Sequence, residues 1–278
     1  MIEPLMLAAL AADDYLRILG NNLVGVYVHG SLAFGSYHRD NSDIDLLVVV
    51  EREPGQAEKE AMIRVLLERE QDAPERGFEL YVVSRQSCQR YHHPAAYFLH
   101  YSERFRIEAT QNLPGFCRRM RGNEPELAYH FTVVKNSGLC LRGKPSDQVF
   151  AGVPEKEFME GLSALIEGAE NEVRIRPAAV ILDLCRALAF GEGGYLASKS
   201  QGGRWALTRT DGRWRELIRE ALDAHWAGEP MEVPDDGEDL CHYLRLRIDN
   251  AFSRRKFSLE QQERWDEENA LAEESKVG

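Results

Sequence analysis

Apolar residues recur at helical and at alternating spacing in the N-terminal part of the chain. The helical spacing predicts helices at 4–19 and 56–69. Runs rich in β-branched and aromatic residues predict strands at 23–29, 44–50 and 78–84. Strands separated by helical stretches are typical of a sheet covered by helices. We therefore expect an α/β (α+β) domain with a mixed sheet.

The pattern changes after about residue 120 and predicts a second, helical domain. Its predicted helices are 124–137, 155–170, 177–190, 213–226, 235–252 and 259–274. The Gly- and Pro-rich segment 141–154 is the predicted connection between the two domains. We therefore assign residues 1–150 to the α/β domain and residues 151–278 to an all-α helical bundle domain.

Composition and charge narrow the class of protein. The 278 residues suffice for about two domains. The net charge is −12, from 34 basic and 46 acidic residues, which argues against broad nucleic-acid binding and is compatible with a cationic substrate. No apolar run reaches the roughly 18 residues that a membrane helix needs. The 5 cysteines form no CxxC pair and predict free thiols in a reducing cytoplasm. We also expect a monomer without a nucleic-acid or membrane partner.

Residues that suit a phosphate ligand stand at the end of the first predicted strand. Gly30 lets the backbone come close to a ligand, and Ser31 supplies a hydroxyl at the start of a short predicted helix. Backbone N–H groups at such a position can bind phosphate oxygens. Gly-Ser alone is a weak signal, and its meaning depends on the residues that follow.

Three acidic residues follow on the next two predicted strands. Strand alternation puts Asp43 and Asp45 on the same face, about 7 Å apart, where they repel each other unless a cation lies beside them. Glu79 is a charged residue within an apolar strand, which calls for a reason. Each acid taken singly could lie in water. Together they predict a magnesium site, because Mg²⁺ prefers carboxylate oxygens and substrate phosphates.

These residues resemble a known family. Gly30-Ser31 followed by Ser42-Asp43-Ile44-Asp45-Leu46 resembles the signature of the DNA-polymerase-β-like nucleotidyltransferase superfamily. The segments 99–105, 141–154 and 182–206 resemble the streptomycin/spectinomycin O-adenylyltransferases, and the similarity covers about residues 23–228.

The resemblance implies transfer of AMP from ATP to a hydroxyl of an aminoglycoside-type antibiotic, with release of pyrophosphate. Asp43 and Asp45 would hold Mg²⁺, two ions in all, next to the nucleotide bound at Gly30, Ser31 and Ser42. Glu79 falls on the strand where the family has its catalytic base. The sequence leaves open whether Glu79 takes the proton of the acceptor hydroxyl or binds metal.

The resemblance also assigns residues of the helical domain to ATP. Arg186 and Lys199 match the family's pair of triphosphate-contacting cations, although Arg186 could instead pair with Asp183, and Lys199 could be a solvated residue of a flexible loop. Adenine could stack on His225 or Trp226, with core packing as the alternative for both.

One departure from the family concerns the acceptor. Arg174 and Arg176 stand close to the expected place of an acidic drug-binding residue, where they would repel a cationic aminoglycoside. This puts streptomycin in doubt and leaves spectinomycin or another hydroxyl compound. The alternatives are a metabolite or protein acceptor, and a nucleotide-binding module that has lost catalysis.

Overall fold

The computed structural model describes residues 2–40 and 42–277, with side chains described as far as Asp266. Two compact units are present: Met1–Glu167 with Asp223–Pro230, and Gly168–Leu222 with Met231–Gly278. The strands are β1 (Leu23–Val28), β2 (Ile44–Val50), β3 (Phe78–Ser84), β4 (Ala95–Tyr97), β5 (Leu99–Tyr101), β6 (Gly122–Glu124) and β7 (Leu139–Gly143). The helices are α1 (Pro4–Leu19), α2 (Gly30–Ala33), α3 (Gln56–Arg69), α4 (Arg85–Gln89), α5 (Arg106–Gln111), α6 (Leu113–Arg119), α7 (Leu127–Ser137), α8 (Glu155–Leu165), α9 (Ala169–Glu172), α10 (Pro177–Gly193), α11 (Lys199–Leu207), α12 (Gly212–Ala227) and α13 (Gly237–Val277).

The first unit is built on a five-stranded mixed sheet in the order β5-β3-β2-β1-β7. The pair β2/β3 is parallel, and the other three pairs are antiparallel. All seven residues of β2 are buried, so both faces of the central strand are covered. This explains why its sequence is a continuous apolar run interrupted by a single acid, Asp45.

The two faces of β2 belong to different cores. Leu46 and Val48 pack in the same core as residues of α1 and α3. Leu47 and Val49 face the other way, into a core that includes residues of α7. Because side chains alternate along a strand, Asp45 lies on the same face as Leu47 and Val49.

The second unit is helical, and most residues of its helix α10 are buried. Its apolar residues include Ile181, Leu184, Cys185 and Leu188, all fully buried. Helix α11 packs closely against α10, since a Cβ built at Gly202 would lie 2.5 Å from the Cα of Arg186. The absent side chain therefore sets the distance between these two helices.

The predicted fold class is confirmed: a mixed sheet with helices precedes a helix-rich region. Four predicted elements have the observed bounds, namely Pro4–Leu19, Ile44–Val50, Gln56–Arg69 and Phe78–Ser84. Each of these has a strong periodic pattern and turn-forming neighbours, which is where local sequence is most informative.

Three predictions about the helices were wrong. The helix predicted at 155–170 ends at Leu165, and Gly168 takes a φ of +72° before α9 begins. The two helices predicted at 235–252 and 259–274 are the single helix α13. The loop predicted around Lys199 is a helix whose N-cap is Ser198, because Ser198 and Gln201 form a capping box.

The boundary at residues 150/151 stays a prediction. The compact first unit extends to Glu167, since α8 packs against α7, and it also takes up residues 223–230. Across the described part of the chain, we find no helix with the length and apolar character that spanning a membrane requires.

Gly202→Ala should destabilise the protein although alanine is the better helix former. Helix propensity favours alanine by about 1 kcal/mol. The new methyl group would press on the backbone of Arg186, and overpacking of this kind costs about 1–3 kcal/mol or more. We expect a lower urea midpoint for Gly202→Ala and a smaller decrease for Gly55→Ala, which loses only N-cap preference because its Cβ would meet nothing nearer than 3.5 Å. Equal midpoints in the two variants would contradict the close packing.

Candidate active site

The parallel pairing of β2 and β3 brings the predicted acids together. Asp45 pairs directly with Glu79 in the register, and Asp43 lies two residues before Asp45 on the same face. Carboxylate oxygens of Asp43, Asp45 and Glu79 all lie within 4.8 Å of one another. Within the described residues, this is the one group of three or more His, Cys, Asp or Glu side chains close enough to share a metal ion.

The turn after β1 lies directly against these acids. Gly30 has a φ of +59°, and a Cβ at this position would lie 1.8 Å from Oδ2 of Asp45. The backbone N–H of His29 donates to the carbonyl of Asp45 at 3.2 Å, which fixes the turn to β2. Only glycine therefore allows the turn to come this close to the carboxylate.

Ser31 is next in the turn and has a buried Oγ without a hydrogen-bond partner. Buried polar atoms are normally satisfied, so the Ser31 hydroxyl, next to the glycine that lies against Asp45, fits an oxygen atom of a ligand. The oxygen-only donor set suits Mg²⁺, and Mg²⁺ commonly binds through carboxylates together with substrate phosphates. The residues present thus fit a metal–nucleotide ligand.

Ser42 has a different environment from Ser31. Its Oγ accepts from the backbone N–H of His38 at 3.1 Å, and its own N–H donates to the His38 carbonyl at 2.8 Å. These two bonds close the turn that leads into Asp43. Ser42 therefore supports Asp43 in this structure, and its predicted contact with the nucleotide stays a prediction.

Histidines surround the carboxylate of Glu79. His100 Nε2 lies 3.6 Å from Glu79 Oε1, and the His100 ring stacks on Tyr81 with centroids 4.0 Å apart. Burial raises the pKa of Glu79, but the contact with His100 and the nearby His130 and His29 outweigh it and lower the pKa. Glu79 is therefore ionised at neutral pH, as both a general base and a metal ligand must be.

His29 is part of the same buried group. Burial, followed by the neighbouring His130, lowers the pKa of His29 to about 3, so this ring is neutral under physiological conditions. Its centroid lies 5.0 Å from that of His130. Sequence analysis did not single out His29, His100 or His130 for a role beside Glu79. The three histidines come from separate elements. The pairing of β3 with β5 brings His100 to this group, because His100 lies opposite Tyr81.

The predicted phosphate-contacting cations meet in the second unit on one buried acid. Asp183 Oδ1 lies 2.6 Å from Arg186 Nη2, and Asp183 Oδ2 lies 3.3 Å from Lys199 Nζ. The ion pair of Arg186 with Asp183, one of the two alternatives from the sequence, is thus present. Lys199 is the first residue of α11. The Ser198-x-x-Gln201 pattern was the sequence signal for this helix start.

The two candidates for adenine stacking differ in exposure. His225 is buried at 8% exposure, whereas Trp226 is 54% exposed. Both rings lie near His38 in the first unit, with centroid distances of 5.7 Å and 5.8 Å. Core packing, the alternative to adenine stacking, therefore fits the buried His225 but not the exposed Trp226.

The two arginines that depart from the family pattern are both paired with acids. Arg174 forms an ion pair with Glu238, and Arg176 forms one with Glu172 at i,i+4 spacing. Their positive charge is therefore partly offset within the second unit.

Comparison with known families connects both units to one kind of enzyme. The nucleotidyltransferase domain family matches residues 14–85, and the family described as aminoglycoside adenylyltransferase, C-terminal domain, matches residues 148–249. Both matches support the predicted resemblance to the aminoglycoside adenylyltransferase family. The predicted enzyme class, a nucleotidyltransferase, is confirmed.

Members of this family are similar along most of the chain. An aminoglycoside (3'') (9) adenylyltransferase of Escherichia coli is 25% identical over 243 residues, covering 84% of this chain and 90% of the relative. A spectinomycin 9-adenylyltransferase of Staphylococcus aureus is 26% identical over 254 residues, covering 85% and 92%.

A solved structure shares the fold. It is a spectinomycin adenyltransferase from Enterococcus faecialis, crystallised with ATP and spectinomycin, with a TM-score of 0.74 and 22% identity. The match covers 86% of this chain and 97% of that chain. For the present chain, the roles of the individual site residues stay predictions.

Gly30→Ala tests the contact between the turn and Asp45, with Gly35→Ala as its control. Both glycines have a positive φ, so each alanine should cost about 1–2 kcal/mol in backbone strain. Gly35 has nothing within 4 Å of its Cβ, whereas Gly30 meets the Asp45 carboxylate. We expect Gly30→Ala to lower the free energy of unfolding in urea by a further 1–3 kcal/mol or so. Similar losses in both variants would contradict the contact.

Proposed function

We propose that the protein transfers AMP from ATP to a hydroxyl of an aminoglycoside-type antibiotic and releases pyrophosphate. The observation that carries this proposal is the convergence of Asp43, Asp45 and Glu79 within 4.8 Å, beside the Gly30–Ser31 turn. Three carboxylates so close together would repel one another, so the arrangement favours a bound divalent cation.

The residues of the first unit divide the work around the nucleotide. Asp43 and Asp45 would hold Mg²⁺, two ions in our proposal, and the metal when bound supplies charge neutralisation and orientation of the leaving group. Gly30 lets the turn after β1 lie against the Asp45 carboxylate, and the Ser31 hydroxyl would donate to a phosphate oxygen. Trp226 offers an exposed ring on which adenine can stack.

Glu79 is the proposed general base. Its lowered pKa keeps the carboxylate ionised, so it can accept the proton of the acceptor hydroxyl as the oxygen attacks the α-phosphate. The same negative charge would suit a metal ligand, which is the alternative role. Arg186 and Lys199 are the proposed contacts for the negative charge of the triphosphate, since both keep a positive charge beside Asp183.

The acceptor is proposed from the family and from charge. The relatives named above are enzymes for aminoglycosides and spectinomycin. The chain has a net charge of −12, which attracts a cationic drug. Glu238 and Glu172 also offset the arginines that would repel such a drug. Adenylylation would add bulk and negative charge to the drug and weaken its binding to the target.

Pyrophosphate release from ATP and Mg²⁺ should appear with at least one member of a panel that includes spectinomycin and streptomycin. Mass spectrometry of the product then locates the modified hydroxyl. Silence across the panel, with ATP binding present by calorimetry, would contradict the drug as acceptor and direct the search to metabolites and proteins. Absence of ATP binding would contradict the nucleotidyltransferase proposal as a whole.

Glu79→Gln should lower kcat by about 10²- to 10⁴-fold, because the amide cannot accept the proton. The control is Glu51→Gln, which changes an acid just beyond the other end of β2 that pairs with Arg85 at the surface. Calorimetry with Mn²⁺ separates the two roles of Glu79. Unchanged Mn²⁺ affinity with lost turnover supports the base, and a parallel loss of Mn²⁺ affinity supports the metal ligand. Full activity of Glu79→Gln would contradict both.

A further inference from the structure

We infer that Asp183 is a positioning residue that fixes Arg186 and Lys199 side by side for a polyphosphate ligand. This inference rests on the proposed function, in which the two cations contact the triphosphate. It adds a role for an acid that the sequence suggested only as an ion-pair partner of Arg186.

Asp183 is the member of this group that contacts both cations. One carboxylate oxygen contacts Arg186 Nη2 at 2.6 Å, and the other contacts Lys199 Nζ at 3.3 Å. Side-chain exposure rises from 9% for Asp183 to 11% for Arg186 and 29% for Lys199. Asp183 and Arg186 are thus similarly buried, and Lys199 is the member of the group most exposed to solvent.

Local sequence and helix packing together build this arrangement. Asp183 and Arg186 are three residues apart on α10, so they share a helix face. Lys199 comes from the start of α11, which Ser198 caps. Gly202 allows α11 to approach the backbone of Arg186, and this close approach brings Lys199 to the carboxylate.

Electrostatics explain why a shared acid is useful here. Two cations held side by side repel each other, and long side chains lose conformational freedom when a ligand immobilises them. Burial raises the pKa of Asp183, but Arg186, Lys199 and Arg176 outweigh it and lower the pKa, so the carboxylate stays charged. A charged Asp183 lets both cations adopt fixed positions before any ligand binds.

A simple charge effect predicts the opposite result from positioning when Asp183 is changed. Removing a negative charge near a polyphosphate should tighten its binding if only the net charge matters. Removing a positioning residue should weaken it, because the ligand must then order two mobile side chains. The sign of the change in affinity therefore decides between the two roles.

The experiment is calorimetry of the full chain with inorganic tripolyphosphate, repeated with ATP and Mg²⁺. Asp183→Asn should weaken tripolyphosphate binding by roughly tenfold. In a Lys199→Met background, the same change should have a much smaller effect, since residues that act through each other are not additive. Unchanged or tighter binding by Asp183→Asn, or full additivity with Lys199→Met, would overturn the inference.

The matched control is Glu192→Gln on the same helix. Glu192 pairs with Arg247 through two contacts of 3.0 Å and 2.8 Å, so its loss also removes an ion pair from α10. We expect it to lower thermal stability and leave tripolyphosphate affinity unchanged. A weakening equal to that of Asp183→Asn would show a general effect of α10 stability and overturn the inference.

A second variant covers the case in which Asp183→Asn does not fold. Asp183→Glu keeps the charge and shifts the carboxylate by one methylene, so positioning predicts weaker binding and a pure charge role predicts wild-type affinity. A different result, obtained with the wild-type chain, would show that the proposed function is wrong. A wild-type chain that binds neither tripolyphosphate nor ATP would overturn the triphosphate contacts themselves, along with this inference.

Discussion

Repulsion among three carboxylates is the constraint around which the first unit is built. The in-register parallel pairing of β2 with β3 places Asp45 beside Glu79, and strand alternation adds Asp43 on the same face. Burial raises the pKa of Glu79, but the contact with His100 and the other nearby histidines lower it by more, so the carboxylate is ionised. A fold that brings these acids so close together is suited to a divalent cation. The match of residues 14–85 to the nucleotidyltransferase domain family agrees with that arrangement.

Close approach through glycine is a second feature that both units share. Gly30 lets the turn after β1 lie against Asp45, and Gly202 lets α11 lie against α10. Gly202 thereby lets Lys199 reach Asp183, and Gly30 places Ser31 next to a turn that lies against Asp45. Glycine loses more backbone entropy on folding than other residues, which lowers stability. Both positions nevertheless need glycine, because a side chain would prevent the close approach.

Paired charges also shape the second unit. Asp183 joins Arg186 and Lys199, while Glu172 and Glu238 pair with Arg176 and Arg174. Considered one at a time in the sequence, these four basic residues would be counted as unpaired positive charges. In our proposal, Asp183 makes one pair a fixed group for anions, and Glu172 and Glu238 reduce the repulsion that the other pair would exert on a cationic drug.

The sequence by itself determined the fold class, because the fold class depends on local periodicity. The approach of Glu79 to Asp45 depended on the parallel pairing of β2 with β3. The bounds of β2 and β3 followed from apolar runs, and the shared face of Asp43 and Asp45 followed from strand alternation. Only the tertiary structure decided which histidines surround Glu79 and that Arg186 and Lys199 share Asp183. Those contacts join residues from separate elements, and their distances depend on helix and strand packing that no local pattern encodes. The start of α11 at Lys199 lies between these cases. Its capping box is a local sequence pattern, but our prediction of a flexible loop followed the Gly- and Ser-rich composition instead.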